Sequence, residues 1–208
     1  MPAYSNIPVR DLLDAFASAA PAPAGGSAAA LTGATGASLL LMAAEIRLSR
    51  PAAPGASPDL TEAADRLRSL RPTLIGLIDR DADAYSLVIA ARRMPGEDDE
   101  GKERRRVALA SAMQAATDVP LDTMRTARLA LRAAPSVASH CVRSTSADVA
   151  VAVELLHAAI RAAGRAVDAN LAFSEDASYV ERVTVERERL QSESGADAEQ
   201  AMSLLNGR

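Results

Sequence analysis

The chain has 208 residues, of which 49% are hydrophobic but only 2% aromatic, with no tryptophan. That length supports one domain with a sizeable core, and the core has to be built from Ala, Leu, Val, Ile and Met. The net charge of −4 leaves no basic excess to neutralise phosphates, which excludes nucleic acid as a general partner. The single cysteine, Cys141, excludes an internal disulfide, and two histidines without ligand spacing exclude the usual zinc site, so no metal is expected.

No segment reads as a strand, so the expected class is all-α. The first helix is predicted from about Val9 to Ala19, with Leu12, Leu13 and Phe16 on one face. It has neither the basic start nor the apolar run of a signal peptide, and the compartment expected on that ground is the cytoplasm. Next comes the most informative stretch, Pro21 to Met42, PAPAGGSAAALTGATGASLLLM. A proline-broken, glycine-rich turn through Gly25, Gly26 and Ser27 leads into a helix of small residues. Backbone N–H groups at such a helix start suit an anion or a polar ligand, and small side chains let a neighbouring backbone or a flat ligand approach closely. The run from Ser27 to Ala44 carries no charge and raises the question of a membrane span. Its weak hydrophobicity and the Glu45, Arg47 and Arg50 that follow favour a buried helix, with no membrane partner.

Pro51 to Ser57 reads as a loop, and Ser57-Pro58-Asp59 as the capped start of a helix reaching about Ala91, which Pro72 should kink or split. After Pro95-Gly96, one helix is predicted from about Asp98 to Thr117 and another from Pro120 until Pro135. A long helix spans about Ser146 to Asn170. The polar segment Tyr179 to Gln191 reads as a solvated or partly docked helix, separated by Gly195 from a short terminal helix near Ala198 to Leu205.

Helical geometry singles out Asp81. At about 100° per residue, Asp79 and Asp83 share a polar face, while Asp81 lies opposite with Leu74, Leu77, Ala84, Tyr85 and Val88. A carboxylate in an apolar stripe has to be paired, hydrogen-bonded or shifted in pKa. It is either a core aspartate bonded to a helix end or a buried Arg, or a functional acid. In the long helix Glu154, His157, Arg161, Arg165 and Asp168 form a polar face. Asp148 and Asn170 fall on the opposite, apolar face, where Asp148 also suits a first-turn cap. The basic cluster of Lys102 and Arg104 to Arg106 reads as a solvated face able to receive an anionic tail. No GxxxxGK[ST] occurs, so Gly25-Gly26 is not a nucleotide phosphate loop.

Four segments, taken in order, resemble the cyclodeaminase/cyclohydrolase family. They are Pro21 through Ala30 with its glycine turn, Asp81 through Tyr85 on to Met94-Pro95, Val119-Pro120-Leu121, and Ser146-Ala147-Asp148-Val149 through Asn170-Leu171. The resemblance covers about 7–176 and leaves 177–208 as polar C-terminal helices of a single domain. It implies a compact dimeric bundle of long helices acting on one-carbon tetrahydrofolates, with no cofactor beyond the folate substrate. By the same resemblance Asp81 is the catalytic carboxylate. Gly25, Gly26 and Ser27 line the folate site with Ser146, and Asp148 and Asn170 fix the pterin ring. The reaction is either hydrolysis of 5,10-methenyltetrahydrofolate or cyclisation of 5-formiminotetrahydrofolate with loss of ammonia. The chain departs from the family pattern at Ala24, Ala147, Ala150 and Ala166, and in having Arg47 and Arg50 where a Lys is usual. Those departures support an alternative, a non-catalytic folate-binding or scaffold member of the same fold.

Overall fold

A computed structural model describes residues 3–50 and 57–207. Among them the chain is helical and has no strand. The α-helices are α1 (Val9–Ala17), α2 (Gly25–Leu48), α3 (Pro58–Arg92), α4 (Asp99–Leu131), α5 (Ala134–His140), α6 (Ser146–Leu171) and α7 (Ala177–Asn206). Single 3₁₀ turns lie at Tyr4–Asn6 and Arg143–Thr145.

Helices α2, α3, α4 and α6 form a four-helix bundle, each packed on the next around the ring, and α7 closes over α4, α5 and α6. Helix α2 has apolar or small residues on every side, which suits a helix surrounded by protein. Ala30, Ala37, Leu40, Ala43 and Ala44 are fully buried in it. By length and composition α2 is apolar enough to cross a membrane, but its faces are taken by α3, α4 and α6, in line with the buried helix expected.

Small residues set the helix spacing. A Cβ on Gly36 would lie 2.9 Å from Leu156 Cγ and 3.0 Å from the Ala152 carbonyl oxygen, and one on Gly33 would lie 3.2 Å from Leu74 Cδ2. Because Gly33 meets Leu74 and Gly26 meets Asp81, α2 and α3 run antiparallel, and the start of α2 lies beside the C-terminal third of α3. The core is aliphatic, with Leu67, Leu74, Leu77, Leu121, Met124, Leu131, Leu156 and Ile160 all fully buried.

Several boundaries differ from expectation. Helix α3 runs unbroken through Pro72, so the helix is not split there, and α4 runs unbroken through Pro120 where two helices were predicted. Proline has no N–H for the carbonyl four residues back, which for Pro120 is that of Ala116. That oxygen accepts a 2.7 Å hydrogen bond from the Asn170 side-chain amide of α6, so a tertiary contact replaces the lost helical bond. Pro135 does not end a helix. It stands in the first turn of α5, where a missing N–H costs nothing. Ser57 precedes α3 without a side-chain capping bond, and the rest of the predicted loop, 51–56, lies outside the described residues. Gly195 does not divide the C-terminal segment. Tyr179, Val183 and Leu190 before it, and Ala198 and Ala201 after it, are buried and hold α7 as one docked helix. Asp176 caps its start, accepting from the N–H groups of Ser178 and Tyr179, each at 3.0 Å.

Candidate functional site

The buried face of α3 brings Asp81 to the start of α2. Gly25, Gly26 and Ser27 are not a turn preceding α2 but its first helical turn. Asp81 Oδ2 accepts the Ser27 backbone N–H at 2.7 Å and faces the Ser27 hydroxyl at 3.0 Å. A Cβ on Gly26 would lie 2.0 Å from Oδ1, so the carboxyl occupies space that only glycine leaves open. Ser27 is fully buried, and Asp81 is half-buried. Burial pushes the Asp81 carboxyl above the usual aspartate range, and the two Ser27 hydrogen bonds oppose that shift without cancelling it. The Asp81 carboxyl therefore holds its proton more tightly than a free aspartate, and it does so beside a partly positive helix end. It is suited to proton transfer.

Asp79 and Asp83 stay outside this contact, as the helical wheel predicts. Asp79 accepts the Ser5 backbone N–H at 3.3 Å, and Asp83 is exposed. Tyr4 donates to the Ala22 carbonyl at 3.1 Å, tying the N-terminal segment to the chain that enters α2 through a cis Ala22–Pro23 bond.

Asn170 lies elsewhere on the surface. It lines a cavity of about 630 Å³ with Arg92, Arg106, Gln114, Phe173 and Tyr179, but not with Asp81. The Tyr179 hydroxyl donates to Asp118 at 2.8 Å, and burial and the Asp118 carboxylate push its pKa up. The sequence reading missed this cavity. Tyr179 was the available signal, being one of only three tyrosines, but it lies in a segment read as solvated or only partly docked. The cavity and Asp81 share one end of the bundle. Ala116, which holds Asn170, precedes Asp122 by six residues, about 9 Å of helix rise, and Asp122 pairs with Arg80 next to Asp81.

Of the other expected site residues, Ser146 and Asp148 are not brought there. Ser146 donates its hydroxyl to the Arg143 carbonyl at 2.9 Å, and Asp148 lies in the first turn of α6. Twenty-two residues of helix put Asp148 about 33 Å from Asn170, so one chain does not bring both to the same ring. Gly25 has open space where a Cβ would stand. The basic cluster is solvated as predicted and pairs largely within its own helix, Lys102 with Asp99, Arg104 with Glu100 and Arg106 with Glu103. His140 Nδ1 lies 2.8 Å from the Ser136 carbonyl oxygen, and Cys141 is buried. Among the described residues no cluster of His, Cys, Asp or Glu has the arrangement of a metal site.

Comparison with known proteins bears on this geometry. The family described as Formiminotransferase-cyclodeaminase matches residues 8–189. Over 191 residues the chain is 34% identical to a methenyltetrahydrofolate cyclohydrolase of Methylorubrum extorquens, covering 92% of each protein. It is 27% identical to a formimidoyltransferase-cyclodeaminase of Dictyostelium discoideum, covering 98% of this chain but 37% of that one. The crystal structure of a formiminotetrahydrofolate cyclodeaminase from Thermotoga maritima has the same fold, with a TM-score of 0.86 over 97% of each chain at 20% identity.

Proposed function

The chain belongs to the formiminotransferase-cyclodeaminase family, and from that membership we propose that it is a folate-dependent one-carbon enzyme with Asp81 as its proton carrier. The favoured reaction is hydrolysis of 5,10-methenyltetrahydrofolate to 10-formyltetrahydrofolate, because the similarity to a cyclohydrolase extends over nearly the whole of both proteins. The observation that carries the reading is the Asp81 carboxyl, half-buried against the first turn of α2 and raised in pKa without a cationic partner among the described residues.

The chemistry matches that environment. The methenyl carbon is a cationic amidinium, and a nearby carboxylate stabilises it. As water attacks, the ionised Asp81 accepts one of its protons and the new C–O bond forms. The protonated Asp81 then donates to N5 as the C–N5 bond breaks, the remaining hydroxyl proton leaves to solvent, and the formyl group stays on N10. In the runner-up reaction, cyclisation of 5-formiminotetrahydrofolate, N10 closes on the carbon and its proton passes to the imino nitrogen, and Asp81 donates the second proton as the C–N bond breaks and ammonia leaves. The cavity beside Asn170 has room for part of a folate and lies at the Asp81 end of the bundle. Asn170 shapes its wall through Ala116.

A homodimer in the cytoplasm is part of the same proposal. Val9 and Leu13 of α1 are 72% and 56% exposed, an i, i+4 apolar pair suited to cover by a second copy. Light scattering of the purified protein tests the mass, and a monomer at micromolar concentration removes the dimer.

The activity test follows the loss of methenyltetrahydrofolate absorbance with wild type and with Asp81→Asn. Acceleration by wild type alone supports the cyclohydrolase. Acceleration by neither moves the assay to ammonia release from 5-formiminotetrahydrofolate, and failure of that assay too leaves the non-catalytic reading in its place.

A further inference from the structure

The Ser27 hydroxyl has one proton and two acceptors, the Ile78 carbonyl at 2.9 Å and Asp81 Oδ2 at 3.0 Å. The backbone N–H of the same residue is committed to Oδ2 at 2.7 Å. The two carboxyl oxygens of Asp81 therefore differ. Oδ2 is held by Ser27, whereas Oδ1 receives no hydrogen bond among the described residues, is not sealed from solvent, and rests over Gly26. We propose that Ser27 is a positioning residue that anchors Oδ2, leaving Oδ1 of Asp81 to exchange the proton with substrate. Gly26 completes the clamp by leaving room for Oδ1. This inference rests on the reading of Asp81 as proton carrier, and it reassigns Gly26 and Ser27 from lining the folate to holding the acid.

The hydroxyl follows the charge. When Asp81 is ionised, the Ser27 O–H turns to Oδ2 and stabilises the carboxylate. When Asp81 holds a proton on Oδ1, the O–H is free to turn to the Ile78 carbonyl, and Oδ2 keeps the backbone N–H. Among the described residues no charged group shares this duty. Helix α2 has no charged side chain before Glu45. On α3, Arg80 pairs with Asp122 of α4 at 3.2 Å, Asp79 is bonded to the Ser5 N–H, Asp83 is exposed and Tyr85 is half-buried. On α4, Asp118 takes the Tyr179 hydroxyl, and Tyr4 of the N-terminal turn is bonded to Ala22. The proton affinity of Asp81 is then set by burial, which raises it, against Ser27, which lowers it.

The test reads Asp81 directly. Carboxyl ¹³C resonances are titrated in wild type and Ser27→Ala, with Asp81→Asn to assign the Asp81 signal. Loss of one charge-assisted hydrogen bond moves the Asp81 midpoint up by about one pH unit, and Ser27→Thr, which keeps the hydroxyl, restores it. An unchanged midpoint in Ser27→Ala overturns the proposal, as does a Ser27→Thr midpoint displaced as far as that of the alanine variant. If Ser27→Ala does not fold, Gly26→Ala carries the test, because its Cβ drives the carboxyl off Ser27 and displaces the midpoint in the same direction. The titration needs no substrate, so absence of folate turnover defeats the proposed function without obscuring this result. Where turnover is measured, the acid limb of kcat/KM moves with the same midpoint, and activity well below it falls about tenfold.

Discussion

Two sets of carboxylates pack at the edges of this bundle and are held in opposite ways. Along the seam between α7 and its neighbours, Glu186 meets Arg125 through two hydrogen bonds of 2.8 and 2.6 Å, Asp168 meets Arg187 at 2.7 Å, and Arg128 faces Glu193 at 3.1 Å and Asp197 at 3.5 Å. At the start of α2, the neutral donors of Ser27 are the only ones Asp81 has among the described residues. An adjacent guanidinium fixes a carboxylate in its charged form, and the Arg125 side chain holds Glu186 below the usual glutamate range. Neutral donors in a half-buried site leave both protonation states within reach, as proton transfer requires. The seam joins helices, and the α2 contact leaves Asp81 able to exchange a proton, as the proposed reaction requires.

Substitutions at the two regions should separate accordingly. Asp81→Asn has the largest expected effect, a loss of methenyltetrahydrofolate turnover of about 10²–10⁴-fold, the range ascribed to general acid–base catalysis. Circular dichroism checks that the variant remains folded. Turnover within a factor of two of wild type would remove Asp81 from the mechanism and with it the contrast. Arg128→Met is expected to keep turnover while lowering stability by about 1–3 kcal/mol in urea unfolding, because Asp197 is left without its close cation. Burial already holds the Asp197 carboxyl above its ordinary range despite Arg128, so retained stability would show that Asp197 simply takes a proton. Glu186→Gln has a smaller expected effect, about 0.5–1 kcal/mol. Its partner Arg125 is 39% exposed, which screens the pair, and keeps Asp122 at 2.9 Å.

The smallest effect is also the most diagnostic, because its sign differs between the two regions. Glu186 has a lowered folded pKa, so its contribution is present above the unfolded value of about 4.3 and is lost as pH falls through the lower folded value. Asp81 has a raised folded pKa, so stability is lost as pH rises from about 3.9 through the folded value, leaving a penalty at pH 7. Thermal melts at a series of pH values should show Glu186→Gln less stable than wild type at pH 7, with the gap closing toward pH 3. Asp81→Asn should melt at or above the wild-type Tm at pH 7, with that gain also closing toward pH 3. A fall in Tm for Asp81→Asn at neutral pH would make Asp81 a structural group like Glu186.

The sequence by itself determined the all-helical class, the central small-residue helix and the odd position of Asp81. These follow from local rules: hydrophobic period, small side chains, and a charge on the apolar side of a wheel. Helix ends at prolines were misread because a proline removes a local bond without revealing whether a distant group replaces it. At Pro120 the Asn170 amide does so, and Val119-Pro120-Leu121 and Asn170-Leu171, two separate motifs along the chain, meet as one contact. The full docking of α7, read as solvated or partial, was not legible because its apolar residues are sparse, and α4, α5 and α6 together supply the surface that buries Tyr179, Val183 and Leu190. Only the tertiary structure decided what Gly26 and Ser27 touch. A glycine pattern announces that something must come close, and the antiparallel register of α2 on α3 makes that something the carboxyl of Asp81. The same geometry separates Asp148 from Asn170, since residues that share a face of one long helix still stand apart by its full length.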